Sequence, residues 1–240
     1  MIRLVIFGAR GRMGQRLIAL AQNDARYELT AAIARDDVIE PGLQRAGAID
    51  VIVDFSSDSG TKRAISLATE CRAALLVGTT ALADETRRAL REAASSIPVM
   101  EAPNTSLGIA VLNTLLHSAA KILAKNFWAL SMIDVHHDQK RDAPSGTARR
   151  LVETLNDAGR SDFTPEDVLC IRAGDVIGEH TVEFFGSGER IQLRHAATDR
   201  NVFAHGALHA AHWLQQQSPG RYVIEDALGL PAPAARESKA

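Results

Sequence analysis

His136 and His137, followed by Lys140 and then by Ser145-Gly146-Thr147, are the residues of this chain best suited to chemistry. An imidazole titrates near neutrality, so it can give or take a proton under ordinary conditions. Successive strand residues face opposite ways, so one of the two histidines enters a given pocket directly, and Lys140 in the following loop can join it. Pro144-Ser145-Gly146-Thr147 reads as the start of a helix, whose unpaired N–H groups and nearby hydroxyls suit a carboxylate or a phosphate. The segment therefore reads as an acid beside an anion clamp. Each part also has a plain structural use, as a packed histidine pair or a Ser/Thr helix cap. Their coincidence favours chemistry.

A second cluster opens the chain. Gly8-Ala9-Arg10-Gly11-Arg12-Met13-Gly14 has the spacing G-x-x-G-x-x-G and lies between an apolar β-branched run, Ile2 to Phe7, and a helical pattern. Glycines there permit a tight turn and let backbone N–H groups approach a pyrophosphate at a helix N-terminus. Dinucleotide folds that prefer NAD place an acidic residue about 20 residues further on, after the second strand. The corresponding residue here is Ala34, and Arg35 follows it. A guanidinium suits the 2′-phosphate of NADP, so NADPH is expected to be preferred, with NADH possible. Asp36 and Asp37 complicate that reading, and the alternative leaves Arg35 a solvated loop charge.

Other titratable groups carry less. His205, His209 and His212 share a helical face, but no H-E-x-x-H pattern or CxxC pair accompanies them, so surface or partly buried histidines on a packing helix are expected and no metal. Cys71 and Cys170 sit in apolar surroundings and read as core thiols of a reducing, cytoplasmic compartment. A net charge of −2, from 27 basic and 29 acidic residues, gives no field for holding a polyanion, which argues against nucleic acid as a partner. Any anionic ligand must be met by local cations. Met1 to Phe7 is too short for an export signal, and Leu107 to Leu130 is broken by Asn113, His117, Lys121, Lys125 and Asn126, so no membrane association is expected.

The elements that must position these residues follow from periodicity. Ile2 to Phe7, Tyr27 to Ile33, Val51 to Phe55, Ala74 to Val77 and Pro98 to Glu101 read as short buried strands, alternating with helical patterns at Met13 to Ala25, Gly60 to Thr69 and Asp84 to Ser95. Such alternation predicts an α/β fold with a doubly wound parallel sheet of Rossmann type. After Asn104 the pattern changes. A helix from Leu107 to about Lys125 leads to a strand-like run from Ala129 to His137 and a helix from Ser145 to about Asn156. Thr181 to Phe185 and Ile191 to His195 flank Gly186 to Arg190 as a hairpin would. Phe203 to Gln217 is helical again, and Pro231 to Ala240 has the composition of a frayed end. The second half is thus expected to be α+β.

At these motifs the chain resembles the 4-hydroxy-tetrahydrodipicolinate reductase (dihydrodipicolinate reductase) family. The resemblance covers most of the chain. It is carried by the glycine loop, Asp54-Phe55-Ser56, Gly78-Thr79-Thr80, Ala102-Pro103-Asn104-Thr105-Ser106, His136 to Thr147, Arg172 to Asp175, Gly178-Glu179-His180 and Phe203 to Ala207. It implies a homotetrameric NAD(P)H-dependent reductase acting on a small ring dicarboxylate in lysine and diaminopimelate biosynthesis. Residues 1–106 and 201–240 would form the dinucleotide-binding domain, and residues 107–200 the central substrate and oligomerisation domain. Gly8, Ala9, Arg10, Gly11, Arg12 and Met13 would hold the pyrophosphate, Arg35 the adenosine ribose or its phosphate, and Gly78, Thr79, Thr80, Ala102, Pro103, Asn104 and Thr105 the nicotinamide half. His136 would donate the proton and Lys140 would be the second catalytic group. His137, Lys140, Ser145, Gly146 and Thr147 would hold the substrate carboxylates. The chain departs from the family in short segments between Arg35 and Asp50 and between Ala158 and Leu169, in Ala34, and in Thr105 where Phe is common.

Overall fold

The computed structural model describes residues 1–45, 47–123 and 128–231. In chain order its elements are β1 (Ile2–Phe7), α1 (Arg12–Gln22), β2 (Tyr27–Ile33), β3 (Val51–Asp54), α2 (Asp58–Cys71), β4 (Ala74–Val77), α3 (Asp84–Ala93), β5 (Pro98–Glu101), α4 (Leu107–Leu123), β6 (Ala129–His136), α5 (Gly146–Asp157), β7 (Val168–Arg172), β8 (Gly178–Phe185), β9 (Arg190–Ala197), α6 (Asn201–Leu214) and β10 (Gly220–Tyr222). The described residues form two compact units, residues 1–107 with 201–228, and residues 108–200 with 229–231. Residues 232–240, most of the expected frayed tail, lie outside the described residues.

In the first unit six parallel strands lie in the order β10-β5-β4-β3-β1-β2. β3 and β4 are buried at every residue, which is why they read as continuous apolar runs and not as alternating ones. α2 and α3 cover one face through Leu67 and Leu90, packed with Ile52 and Leu75. α1 and α6 pack on each other and against the sheet. From β1 the chain crosses to β2 on one side and then returns to β3 on the other, so the loops after β1 and β3 diverge and leave a crevice at the strands' C-terminal ends. Those ends are level, with Phe7 paired to Asp54, Asp54 to Val77 and Val77 to Glu101.

The second unit has a mixed four-stranded sheet, β7-β6-β8-β9, in which β7 runs parallel to β6 and the other pairs are antiparallel. β8 alternates buried and half-buried residues along its length, the mark of a sheet with one face on a core. Met132, Val182 and Phe184 on that face pack with Leu116 of α4 and Leu151 and Leu155 of α5.

Several boundaries differ from the sequence reading. α1 stops at Gln22 and not Ala25, because Asn23 and Asp24 turn their N–H groups back to Leu20 and Ala21. α6 starts two residues before Phe203 and ends at Leu214, and β9 already includes Arg190. Lys125 lies outside the described residues. Two edge strands, β7 and β10, had no anticipated counterpart. Cys170 is a correction: it is exposed on β7, while Cys71 is buried with its thiol donating to the Leu43 carbonyl at 2.8 Å. An edge strand lacks a covering layer here, so Leu169 and Ile171 are exposed beside it.

Candidate active site

Gly8 follows β1 with φ +85, and a Cβ there would lie 2.2 Å from the Phe55 carbonyl oxygen, so only glycine fits the approach of the two loops. Gly14 is as constrained, since its Cβ would lie 2.2 Å from the Gly8 oxygen and push α1 off the loop. Gly11 precedes α1 without a side-chain cap, and the first turn holds no acidic residue. That leaves the dipole end open to an anion. In front of it a cleft of about 370 Å³ is lined by Gly8, Arg10 and Gly11 after β1, by Ala34, Arg35 and Asp36 after β2, and by Phe55, Ser56 and Ser57 after β3 with Ser59, Gly60 and Arg63 of α2. A cradle that excludes a Cβ, at an uncapped helix start ringed by guanidinium groups, fits a dinucleotide. Ala9, Arg12, Met13 and the nicotinamide-side segments are not on its walls.

Asp54 closes the floor of this unit. It is fully buried at the end of β3 and accepts hydrogen bonds from Ser56 Oγ, Thr61 Oγ1 at 2.6 Å and Thr79 Oγ1 at 2.8 Å. Burial raises its pKa, and the three hydroxyls oppose that rise. Thr79 Oγ1 in turn accepts the Ser56 N–H at 2.8 Å, which ties the Gly78 loop to the turn after β3. Gly78 lies against the Phe55 ring, Thr80 is exposed, and Ala102 is buried with its N–H on the Val77 carbonyl. Pro103 is exposed and Asn104 caps the Ser106 N–H. Thr105 is buried, and its hydroxyl donates to the Phe203 carbonyl of α6 at 2.6 Å.

In the second unit another fully buried carboxylate, Asp134, organises the His136 segment. Arg172 Nη2 donates to its Oδ2 at 3.0 Å, and the Ser145 N–H and hydroxyl donate to Oδ2 and Oδ1 at 2.9 Å each. His136 Nδ1 lies 3.0 Å from Oδ1, and His180 Nε2 lies 3.4 Å from the same oxygen. The geometry at His136 Nδ1 is off the line of a full hydrogen bond. The rings of His136 and His180 meet edge to face with centroids 5.4 Å apart. Nε2 of His136 faces Gly178, where a Cβ would lie 3.0 Å from it.

The electrostatics follow from that packing. Burial would raise the Asp134 pKa, but the adjacent His136 ring and the hydrogen bonds from Ser145 outweigh it and hold the carboxyl below the usual carboxylate range. Burial lowers His180 to about 4, against the pull of Asp134, so it is neutral near pH 7. Asp134, His136 and His180 offer three possible metal ligand atoms within 4.8 Å of one another. The Arg172 guanidinium on Asp134 places a positive charge where a cation would have to sit, so the set does not suit one.

The predicted residues are therefore placed as follows. His136 is buried and His137 half-buried, as opposite strand faces require. Lys140 is half-buried, and its ammonium lies 2.9 Å from Asp142. Ser145 is turned inward as the cap of α5, its hydroxyl accepting the Ala148 N–H at 3.1 Å. Gly146 opens α5 with nothing within 4 Å of its Cβ position, and Thr147 follows it. His205 and His209 are exposed along α6. The sequence reading missed Asp134 and Arg63 altogether, and gave Arg172 and His180 no role. Asp134 had a readable signal in its alternation with His136, two residues along one strand face.

Comparison with known proteins agrees with this geometry. Residues 2–105 match the family model "Dihydrodipicolinate reductase, N-terminus", and residues 108–228 match "Dihydrodipicolinate reductase, C-terminus". The chain is 43% identical over 239 residues to a 4-hydroxy-tetrahydrodipicolinate reductase of Stenotrophomonas maltophilia (strain R551-3), covering 95% of this chain and 98% of that one. It is 35% identical over 264 residues to one from Aquifex aeolicus (strain VF5), covering 95% and 99%. A dipicolinate-bound dihydrodipicolinate reductase from Paenisporosarcina sp. TG-14 shares the fold, with TM-score 0.77 at 22% identity over 93% of this chain and 97% of that one. The chain belongs to the dihydrodipicolinate reductase family.

Proposed function

We propose that the first unit holds NADPH and the second holds the substrate and donates the proton. The protein is an oxidoreductase of lysine and diaminopimelate biosynthesis that reduces 4-hydroxy-tetrahydrodipicolinate. The observation that carries the division of labour is the buried Asp134 carboxylate, which joins the strand of His136 to the first turn of α5. When bound, the reduced nicotinamide supplies a hydride.

This chain's own residues do the rest. Gly8 to Met13 and the start of α1 receive the pyrophosphate; Arg35 meets the 2′-phosphate. Gly78 to Thr80 and Ala102 to Thr105 shape the nicotinamide side, Thr105 through its bond to α6. Hydride delivery to a conjugated ring leaves negative charge that an adjacent acid must neutralise. Protonated His136 gives up its Nε2 proton while Nδ1 stays beside Asp134. Lys140, His137 and the N–H groups of Gly146 and Thr147 meet the two carboxylates, and Ser145 supports that turn from beneath.

The exposed apolar residues Leu169, Ile171 and Ile191 of the second unit's sheet support a homotetramer, which light scattering would test. Among the described residues no helix is long and apolar enough to cross a membrane. We place the protein in the cytoplasm with its small-molecule substrate, and no nucleic acid or metal enters the reading. The deciding experiment follows nucleotide oxidation with the condensation product of pyruvate and aspartate semialdehyde. NADPH oxidation is expected, faster than with NADH at equal subsaturating concentration. Absence of oxidation with either cofactor would defeat the reading.

A further inference from the structure

We propose that Arg63 is a second specificity residue of the nucleotide site, discriminating for a ribose 2′-phosphate together with Arg35. This rests on the NADPH reading above. Arg63 lies in α2 and lines the cleft beside Gly60. Its Nη1 donates to the Arg35 carbonyl at 2.7 Å and its Nη2 to the Asp37 carbonyl at 2.5 Å. One planar fork thus grips the short turn at Arg35 and at Asp37, on either side of Asp36.

That turn is further closed by Asp37 Oδ2, which accepts the Ala34 N–H at 2.8 Å, while Oδ1 of the same carboxylate lies 3.4 Å from Arg10. Asp37 is consequently engaged with its own turn and with Arg10. The charged residues lining the cleft are the three arginines Arg10, Arg35 and Arg63 and one carboxylate, Asp36. A ribose with two free hydroxyls calls for a carboxylate acceptor there, and Ala34 supplies none. A phosphate monoester calls for convergent donors. The two carbonyl bonds use two of the five N–H donors of Arg63, so the group can fix the turn and still meet an anion with the others.

The test measures dissociation constants of NADPH and NADH for the parent protein, Arg63→Gln and Arg63→Lys by fluorescence titration, at low and high salt. Arg63→Gln is expected to weaken NADPH by about tenfold or more and NADH by less than about twofold, the scale of one charge-assisted contact. Arg63→Lys keeps the charge but not the fork, and should fall between. The NADPH loss should shrink at high salt. Equal weakening of both nucleotides would make Arg63 a clamp for the turn alone and overturn the proposal, as would no change in either. The parent's own NADPH-to-NADH ratio judges the cofactor reading separately. Should the parent favour NADH, Arg63 is still judged by whether its substitution moves that ratio.

Discussion

Both the backbone N–H and the hydroxyl of Ser145 donate to the buried Asp134 carboxylate, each at 2.9 Å. The strand that carries His136 and the helix start proposed to meet the substrate carboxylates are thereby held by one group. Arg172, from β7, neutralises that group from a third element.

Asp134→Asn should therefore disturb activity and stability together. Removing one partner of a buried ion pair costs about 3–5 kcal/mol, because the other charge is left uncompensated. Thermal melts should show a lower midpoint, and kcat should fall more than KM rises. An unchanged melting temperature would show that Arg172 and Ser145 do not depend on this carboxylate.

His136→Gln keeps a polar side chain but removes the proposed proton donor. A general acid contributes about 10²–10⁴-fold, so kcat should fall in that range with KM altered little. Lys140→Ala should raise KM and lower kcat if, as proposed, the ammonium meets both the bound carboxylate and the developing charge. Steady-state kinetics at fixed saturating NADPH separate the two patterns.

Stability should decline on acidification between pH 6.5 and 4. His180 titrates at about 4 in the folded protein against 6.5 for an ordinary imidazole, so within that interval the unfolded chain binds more protons. Its contribution is complete above pH 6.5 and is lost as pH falls toward 4, by roughly 3 kcal/mol in total at 1.36 kcal/mol per unit. Asp134, whose pKa is lowered, adds a further loss below the ordinary carboxylate range. Denaturant titrations from pH 7 to pH 4 read the slope, and His180→Gln should flatten it.

Gly8→Ala should abolish dinucleotide binding, because the new methyl would sit 2.2 Å from a backbone oxygen in a loop at φ +85. Gly178→Ala is the milder companion. Its Cβ would press on His136 Nε2 at 3.0 Å, so NADPH affinity should stay constant while turnover drops. Titration and kinetics on the two variants would exchange these outcomes if the units were assigned the wrong way round.

The parallel sheet was legible because strands buried on both faces, such as Val51 to Asp54, leave an uninterrupted apolar run between turn residues. The β8 and β9 hairpin was legible from Gly186 to Gly188. β7 was not, since it is an edge strand with Leu169, Cys170 and Ile171 exposed and no alternation to read. The chemistry of His136 to Thr147 showed in local spacing. Its support did not, because Arg172 and His180 reach Asp134 from 38 and 46 positions away along the chain, and pattern cannot say which distant charges meet. Ser145 illustrates the same limit: its type fits both a ligand contact and a cap, and its bonds to Asp134 and Ala148 do not show in the spacing.

The level strand ends of the first unit, Phe7, Asp54, Val77 and Glu101, separate framework from specificity. Each connecting loop begins at the same height, so its length and residues can vary without shifting its neighbours, whereas a one-residue slip of any strand would turn a side chain such as Asp54 to the opposite face. Nucleotide preference is in this sense interchangeable cargo on an invariant rack: grafting the turn after β2, with the residue on α2 that grips it, should suffice to retune the cofactor while the sheet stays as it is.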